Sequence, residues 1–304
     1  MNIIGRKYLF LTISGLLVLG GIAAFAIWGV KEGIDFTGGS LLEAEFLGSG
    51  AAYIHPDSDT IQRAMDGLGL GAVVAQPAGN GTLLRFKTVD ENMHQEILRR
   101  LKAVVPAPVV VTEKRFDAIG PTIGAELRQR SMLAIGLAIV TIVLYIAWAF
   151  RRVSKPLQSW KYGVVAIATL VHDLAIPTGL FAVLGHFRGI EVDSLFITAL
   201  LTIMGFSVHD TIVVFDRTRE NLAKTKGSEP YESIVNRSVN ETLARSVNTS
   251  LTVLLVLGAI FFFGGSTVHY FALALAVGII FGTYSSIFVA SPLLVIWNDL
   301  TRKK

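Results

Sequence analysis

The chain contains no cysteine among its 304 residues, and only 16% of them are charged. The first absence excludes disulfides and thiolate metal centres while leaving the compartment open. The second falls well below the roughly 25% typical of soluble domains. Catalytic signatures are missing too. No Walker-type loop occurs, so ATP is not the energy source within this chain, and neither Gly-x-Ser-x-Gly nor His-Glu-x-x-His is present.

What the chain has instead is hydrophobic residues, 52% of the total. A helix needs roughly 20 apolar residues to cross about 30 Å of hydrocarbon. Six stretches are expected to do so: 8–29, 131–150, 163–185, 194–215, about 245–263 and 271–292. The first could be read as a cleaved signal peptide, since Arg6 and Lys7 precede it and Ala24-Phe25-Ala26 resembles a cleavage site. Its apolar stretch exceeds the roughly 7–15 residues of a signal core, so it is expected to stay as a span.

Basic residues orient the spans. One set of ends carries Arg6, Lys7, Arg151, Arg152, Lys155, Lys161, Arg217, Arg219, Lys224, Lys226, Arg237, Arg245, Arg302, Lys303 and Lys304; the short loops opposite carry only Arg188. The positive-inside rule puts both termini in the cytoplasm and the long segment after the first span outside. The net charge of +4 reflects this bias and does not indicate a nucleic-acid partner.

The expected organisation is span one in 1–30, a head in 31–130, and five further spans in 131–304 with a cytoplasmic loop at 216–245. In the head, 41–47 alternates as a strand, 57–68 and 90–104 read as helices, and 72–76, 82–88 and 109–116 read as strands, with a turn at 77–81. The order βαββαβ predicts a ferredoxin-like α+β fold. His55 and His94 lie in no motif, so the head reads as a binding or interaction module. The glycine-containing elements 33–40 and 119–124 that flank it read as membrane-exit turns.

Two acids lie more than a turn inside a span, Asp173 and Asp210, each preceded by a histidine, His172 and His209. An ionised side chain near the bilayer centre costs at least about 2.5–3.5 kcal/mol, so such groups carry an ion, a proton or a structural partner. Ser207, Asp210 and Thr211 form a polar stripe at i, i+3, i+4. On span five, Glu241, Arg245, Asn248, Thr249 and Thr252 share a helical face that should look into the bundle, making Asp210 and Arg245 a candidate charge pair. Asp216 reads as part of a hydrated helix end, and His172 and Asp173 as interhelical hydrogen-bonding partners. No metal site is expected, because the two His-Asp pairs differ in depth by about 6 Å. The same offset argues against an aspartic-protease dyad. Gly278, Gly282, Ser286 and Ala290 make a small-residue packing face on span six, and 229–247 reads as an amphipathic helix lying on the membrane.

Gly33–Ser40, Gly120–Gly124, His172-Asp173, and Asp210-Thr-Ile-Val-Val-Phe-Asp-Arg-Thr-Arg-Glu-Asn221 together resemble the SecF family of the bacterial Sec protein-export machinery, within the RND superfamily. The likeness extends to Phe263-Gly-Gly265 and Gly282-Thr-Tyr-Ser-Ser-Ile287. It implies half of an RND-type bundle in the bacterial inner membrane, paired with SecD and associated with the SecYEG channel, YajC, YidC and, indirectly, the motor SecA. It further implies a non-enzymatic subunit without cofactor that uses the proton gradient to pull or release a preprotein met by the head. Asp210, Arg245, Thr249 and His209 would form the proton pathway, supported by His172, Asp173, Ser207, Thr211 and Asp216. The rival reading is a half-size RND exporter of small molecules or lipids; such chains usually carry both halves and two large outer domains.

Overall fold

We describe a computed structural model covering residues 1–48, 53–78, 80–106, 108–150, 158–225 and 228–302. Arg151, Arg152, Lys155, Lys226, Lys303 and Lys304 of the basic set, and Gly79 of the expected turn, lie outside these described residues. The chain divides into two compact units, Met1–Lys31 with Leu133–Lys304, and Glu32–Met132.

The first unit is helical. It contains α1 (Lys7–Trp28), and the second unit opens with the short α2 (Ile34–Thr37). There follow β1 (Gly39–Leu47), α3 (Ser58–Met65), β2 (Val74–Ala78), β3 (Gly81–Phe86), α4 (Glu91–Val104) and β4 (Val110–Ile119). Then come α5 (Pro121–Ala149), α6 (Ser159–Arg188), α7 (Ser194–Thr225), α8 (Tyr231–Phe263), α9 (Ser266–Ser285), a π-helical turn (Ser286–Ala290) and α10 (Ser291–Arg302).

The head has the expected βαββαβ order. Its sheet runs β2-β3-β1-β4 with every neighbouring pair antiparallel. Alternation along β1 decides its faces: Leu42, Ala44 and Phe46 are fully buried, while Glu43 and Glu45 point away. Ile61 and Met65 of α3, and Ile97, Leu98 and Leu101 of α4, close over that face. The Asp90 side chain caps α4 by accepting from the Met93 N–H at 2.9 Å.

The flanking glycines differ from the expectation. Residues 119–124 are not a turn: Ile119 ends β4, and Pro121 opens α5 at the first helical position, where its missing N–H costs nothing. Gly38 adopts φ 72°, and a Cβ there would lie 2.8 Å from the Pro121 Cα. A Cβ on Gly124 would lie 2.8 Å from the Gly38 nitrogen. Close backbone approach therefore requires glycine at both positions.

Six helical stretches are long and apolar enough to cross a membrane, the last running through α9, the π turn and α10. Two extend well beyond their apolar cores. α7 continues to Thr225 and α8 begins at Tyr231, so most of 216–245 is helix and not a loop. The residues expected to lie on the membrane surface, Val235 and Val239, are fully buried in the bundle core with Phe215 and Val214. The helix continues unbroken because no proline lies between Tyr231 and Phe263.

Helix contacts rest on small residues. α1 meets α6 where a Cβ on Gly179 would come 2.3 Å from the Gly21 Cα. α9 meets α7 where a Cβ on Gly278 would lie 2.2 Å from Ile203. The small-residue face of the last span thus packs within this chain.

Candidate functional site

α7 places Ser207, Asp210 and Thr211 on one buried face, as the i, i+3, i+4 spacing requires. Facing them, α8 contributes Thr242, Ser246 and Ser250, likewise buried. Ser246 Oγ donates to Asp210 Oδ1 at 2.5 Å. Ser286, on the π turn, lies against the same carboxylate and shares a 3.0 Å hydrogen bond with Thr211. Asp210 Oδ2 is buried without a hydrogen-bond partner among the described residues.

The expected charge pair is not closed. Arg245 on α8 and His209 on α7 are exposed, and Asp210 takes its hydrogen bond from Ser246 instead. Thr249 is exposed as well. The inward face of α8 is therefore one residue, about 100° of helix, away from the face chosen on polarity alone. The reason is packing: small hydroxyls permit close approach to α7 and α9, whereas Glu241 and Arg245 need room. Asp216 is exposed and pairs with Arg219 at 3.4 Å.

Asp173 on α6 forms a second, fully buried cluster. Its Oδ1 meets His172 Nδ1 at 2.8 Å, and its Oδ2 accepts from Ser285 at 2.8 Å and from Ser207. His172 stacks on Tyr284 at 6.3 Å, and its Nε2 has no hydrogen-bond partner among the described residues. One carboxylate thereby ties α6, α7 and α9 together.

The two clusters meet at a serine doublet. Ser285 serves Asp173 and Ser286 lies against Asp210, and the Gly282 carbonyl is within hydrogen-bonding distance of both hydroxyls, at 3.0 and 2.9 Å, as an alternative acceptor. The π turn begins at this doublet, a feature that recurs at functional positions. Ser246, Ser250, Ser285 and Ser286 escaped the sequence reading as site residues. Their signal is the i, i+4 hydroxyl pair and the adjacent serines in otherwise apolar helices.

At the end of α7, the motif Asp216-Arg-Thr-Arg-Glu-Asn221 builds a clasp onto α8. Arg217 bonds Glu220 and Glu241, each at 2.6 Å. Asn221 donates to Glu241 at 2.8 Å and to Ser238 at 3.0 Å. Ser207, Asp210 and Thr211 can exchange hydrogen bonds or a proton with their neighbours; the clasp holds the helices that carry them.

Residues 99–300 match the family model of the protein export membrane protein SecD/SecF C-terminal region. The protein translocase subunit SecF of Anaerolinea thermophila is 42% identical over 301 residues, covering 98% of this chain and 94% of that protein. The protein translocase subunit SecDF of Thermus thermophilus is 37% identical over 296 residues, covering 94% of this chain and 37% of that one. The crystal structure of SecDF, described as a translocon-associated membrane protein, matches with a TM-score of 0.80 and 34% identity. That match covers 98% of this chain and 39% of the SecDF chain.

Proposed function

Since the chain belongs to the SecD/SecF family of protein export membrane proteins, as a multi-pass SecF-type translocase subunit, we propose that it couples the proton-motive force to late-stage preprotein translocation and release. The observation that carries this reading is Asp210, a carboxylate buried inside a spanning bundle. One of its oxygens is held by Ser246, and the other is buried with no hydrogen-bond partner among the described residues. Intramembrane acids of this kind mark proton and ion paths. Asp210 alternates between an ionised state paired with Arg245 and a neutral state held by hydroxyls. Arg245 stays charged in both. A proton descending 100 mV delivers about 2.3 kcal/mol, enough to bias two helix arrangements roughly fiftyfold.

SecD is the proposed partner, as a heterodimer. His209, Arg245, Asn248 and Thr249 are exposed on the outer sides of α7 and α8, and polar groups at membrane depth call for protein or water beside them. A relative named SecDF, of which this chain spans less than half, supports the same pairing. The SecYEG channel, YajC, YidC and, through the channel, SecA complete the proposed assembly, with preprotein contacting the head. The basic bias of one set of helix ends supports an inner-membrane protein with both termini in the cytoplasm. The reading needs no cofactor beyond the proton gradient.

The test is gradient-driven preprotein release from vesicles holding this chain, SecD and SecYEG, with wild type compared to Asp210→Asn. Asparagine keeps the shape and removes the titration. Loss of only the gradient-dependent part is expected; equal release from both proteins refutes the assignment.

A further inference from the structure

A groove of about 610 Å³ lies at the end of the bundle where α6 begins and α10 ends. Its aliphatic wall is formed by Val164, Ala168, Leu293, Ile296 and Leu300, and Trp160, Trp297 and Lys161 also line it. The two indoles meet edge to face at 5.2 Å. Trp160 keeps its N–H on Gln158 at 2.7 Å, so it presents a polar edge and an apolar ring, the arrangement favoured at a membrane interface.

Lys161 sets this groove apart from ordinary lipid-facing surface. It is only 6% exposed, yet among the described residues its ammonium meets the Thr301 hydroxyl at 2.9 Å and the two indole rings at 5.9 and 6.0 Å. No ion pair with a carboxylate satisfies it among the described residues; Asp299, the acid nearest Thr301 in sequence, pairs with Lys7 at 3.6 Å. A buried cation held by a hydroxyl and π faces retains a strong demand for an anion. The sequence adds only basic residues beside the two helices: Arg151, Arg152 and Lys155 before α6, and Lys303 and Lys304 after α10.

From this combination we propose that the groove is a binding site for an anionic phospholipid. The headgroup phosphate sits on Lys161 and Thr301, and an acyl chain lies along the aliphatic wall. Basic pockets between spanning helices are known lipid-headgroup sites. The buried lysine explains why the occupant is anionic, and the apolar floor explains why it carries a chain and is not free phosphate.

The chain has four tryptophans. With Trp28→Phe and Trp148→Phe, emission comes only from Trp160 and Trp297 at the groove. This full-length protein is reconstituted in equal mixtures of phosphatidylglycerol and phosphatidylcholine, with bromine quenchers on the chains of one lipid or the other. Brominated phosphatidylglycerol is expected to quench with about fivefold higher apparent affinity. Lys161→Gln should bring the two lipids to parity while Lys161→Arg keeps the preference. Ala168→Leu, on an exposed wall position, should weaken quenching by phosphatidylglycerol while leaving the lysine in place, and so tests the groove even if Lys161→Gln does not fold. Added inorganic phosphate should leave the quenching unchanged; displacement by phosphate would make the site an anion site without a lipid chain. Equal quenching by both lipids in the parent protein, or a preference that survives Lys161→Gln, overturns the proposal. Equal quenching would make the groove a seat for a neutral lipid or an apolar partner helix.

Discussion

Replacing Asp173 by alanine is expected to loosen the bundle, and the size of the effect follows from its partners. The carboxylate accepts from His172, Ser207 and Ser285 at a fully buried position. Ser285 has a second acceptor, the Gly282 carbonyl, so its hydroxyl survives the substitution satisfied. Ser207 and His172 lose this partner. Single side-chain bonds in membrane bundles contribute about 0.6–1.7 kcal/mol each, which puts the loss of two at about 1.2–3.4 kcal/mol. Asp173→Asn should cost about half as much, because the amide oxygen still serves the serines and the imidazole can accept from the amide once its tautomer changes. Ser207→Ala removes one bond and should cost about 0.6–1.7 kcal/mol, the range found for single side-chain bonds in membrane bundles. These values are read from reversible unfolding in mixed micelles titrated with sodium dodecyl sulfate. A double-mutant cycle of Asp173→Ala with Ser207→Ala should return a coupling comparable to the single-bond value. The reasoning is refuted if Asp173→Ala stays within about 0.5 kcal/mol of wild type, a change ordinary for surface sites. It is equally refuted if asparagine proves as costly as alanine.

Two further outcomes follow from packing and charge. Gly278→Leu should destabilise by more than about 1–3 kcal/mol in the same unfolding assay, since even its Cβ would lie 2.2 Å from Ile203. Gly258→Ala, with nothing within 4 Å of its added Cβ, should be neutral or slightly stabilising. In the head, hydrogen bonding to Arg99 lowers the Glu96 carboxyl from 4.5 to about 2. A depressed folded value means that the pair's contribution is present above pH 4.5 and is lost as pH falls toward 2. Carbon-13 titration of labelled glutamate should place one midpoint near 2, and Arg99→Gln should move it upward; a Glu96 midpoint at 4.5 in the parent protein would remove the pair from the account.

Much of the architecture was legible because it rests on local periodicity. Spans show as apolar runs of bilayer length, and the alternation Leu42, Ala44, Phe46 identifies the inner face of β1 without knowledge of its neighbours. Asp173 and Asp210 stood out because charge within such runs is expensive. The ends of α7 and α8 were less legible. Their polar extensions, to Thr225 and from Tyr231, are held by the Arg217, Asn221 and Glu241 clasp, which pairs residues far apart in sequence. That Ser246, one residue on from Arg245, is the hydrogen-bonding neighbour of Asp210 was illegible for a related reason. A polar stripe on a membrane helix shows that some face avoids lipid, but not whether that face meets its own bundle or another chain.

The sequence alone therefore determined the six spans, the βαββαβ head, the two buried acids and the family. The spans, head and acids depend on hydrophobic period and helix rise, which act within a few residues of chain, and the family on the resemblance of its motifs. Tertiary structure decided which hydroxyl holds which carboxylate. It set Ser246 and Ser286 against Asp210, gave Ser207 and Ser285 to Asp173, and gathered Lys161, Trp160 and Trp297 around one groove. Each of those meetings depends on the rotation of one helix against another, where 100° separates neighbouring residues and only close packing selects the angle.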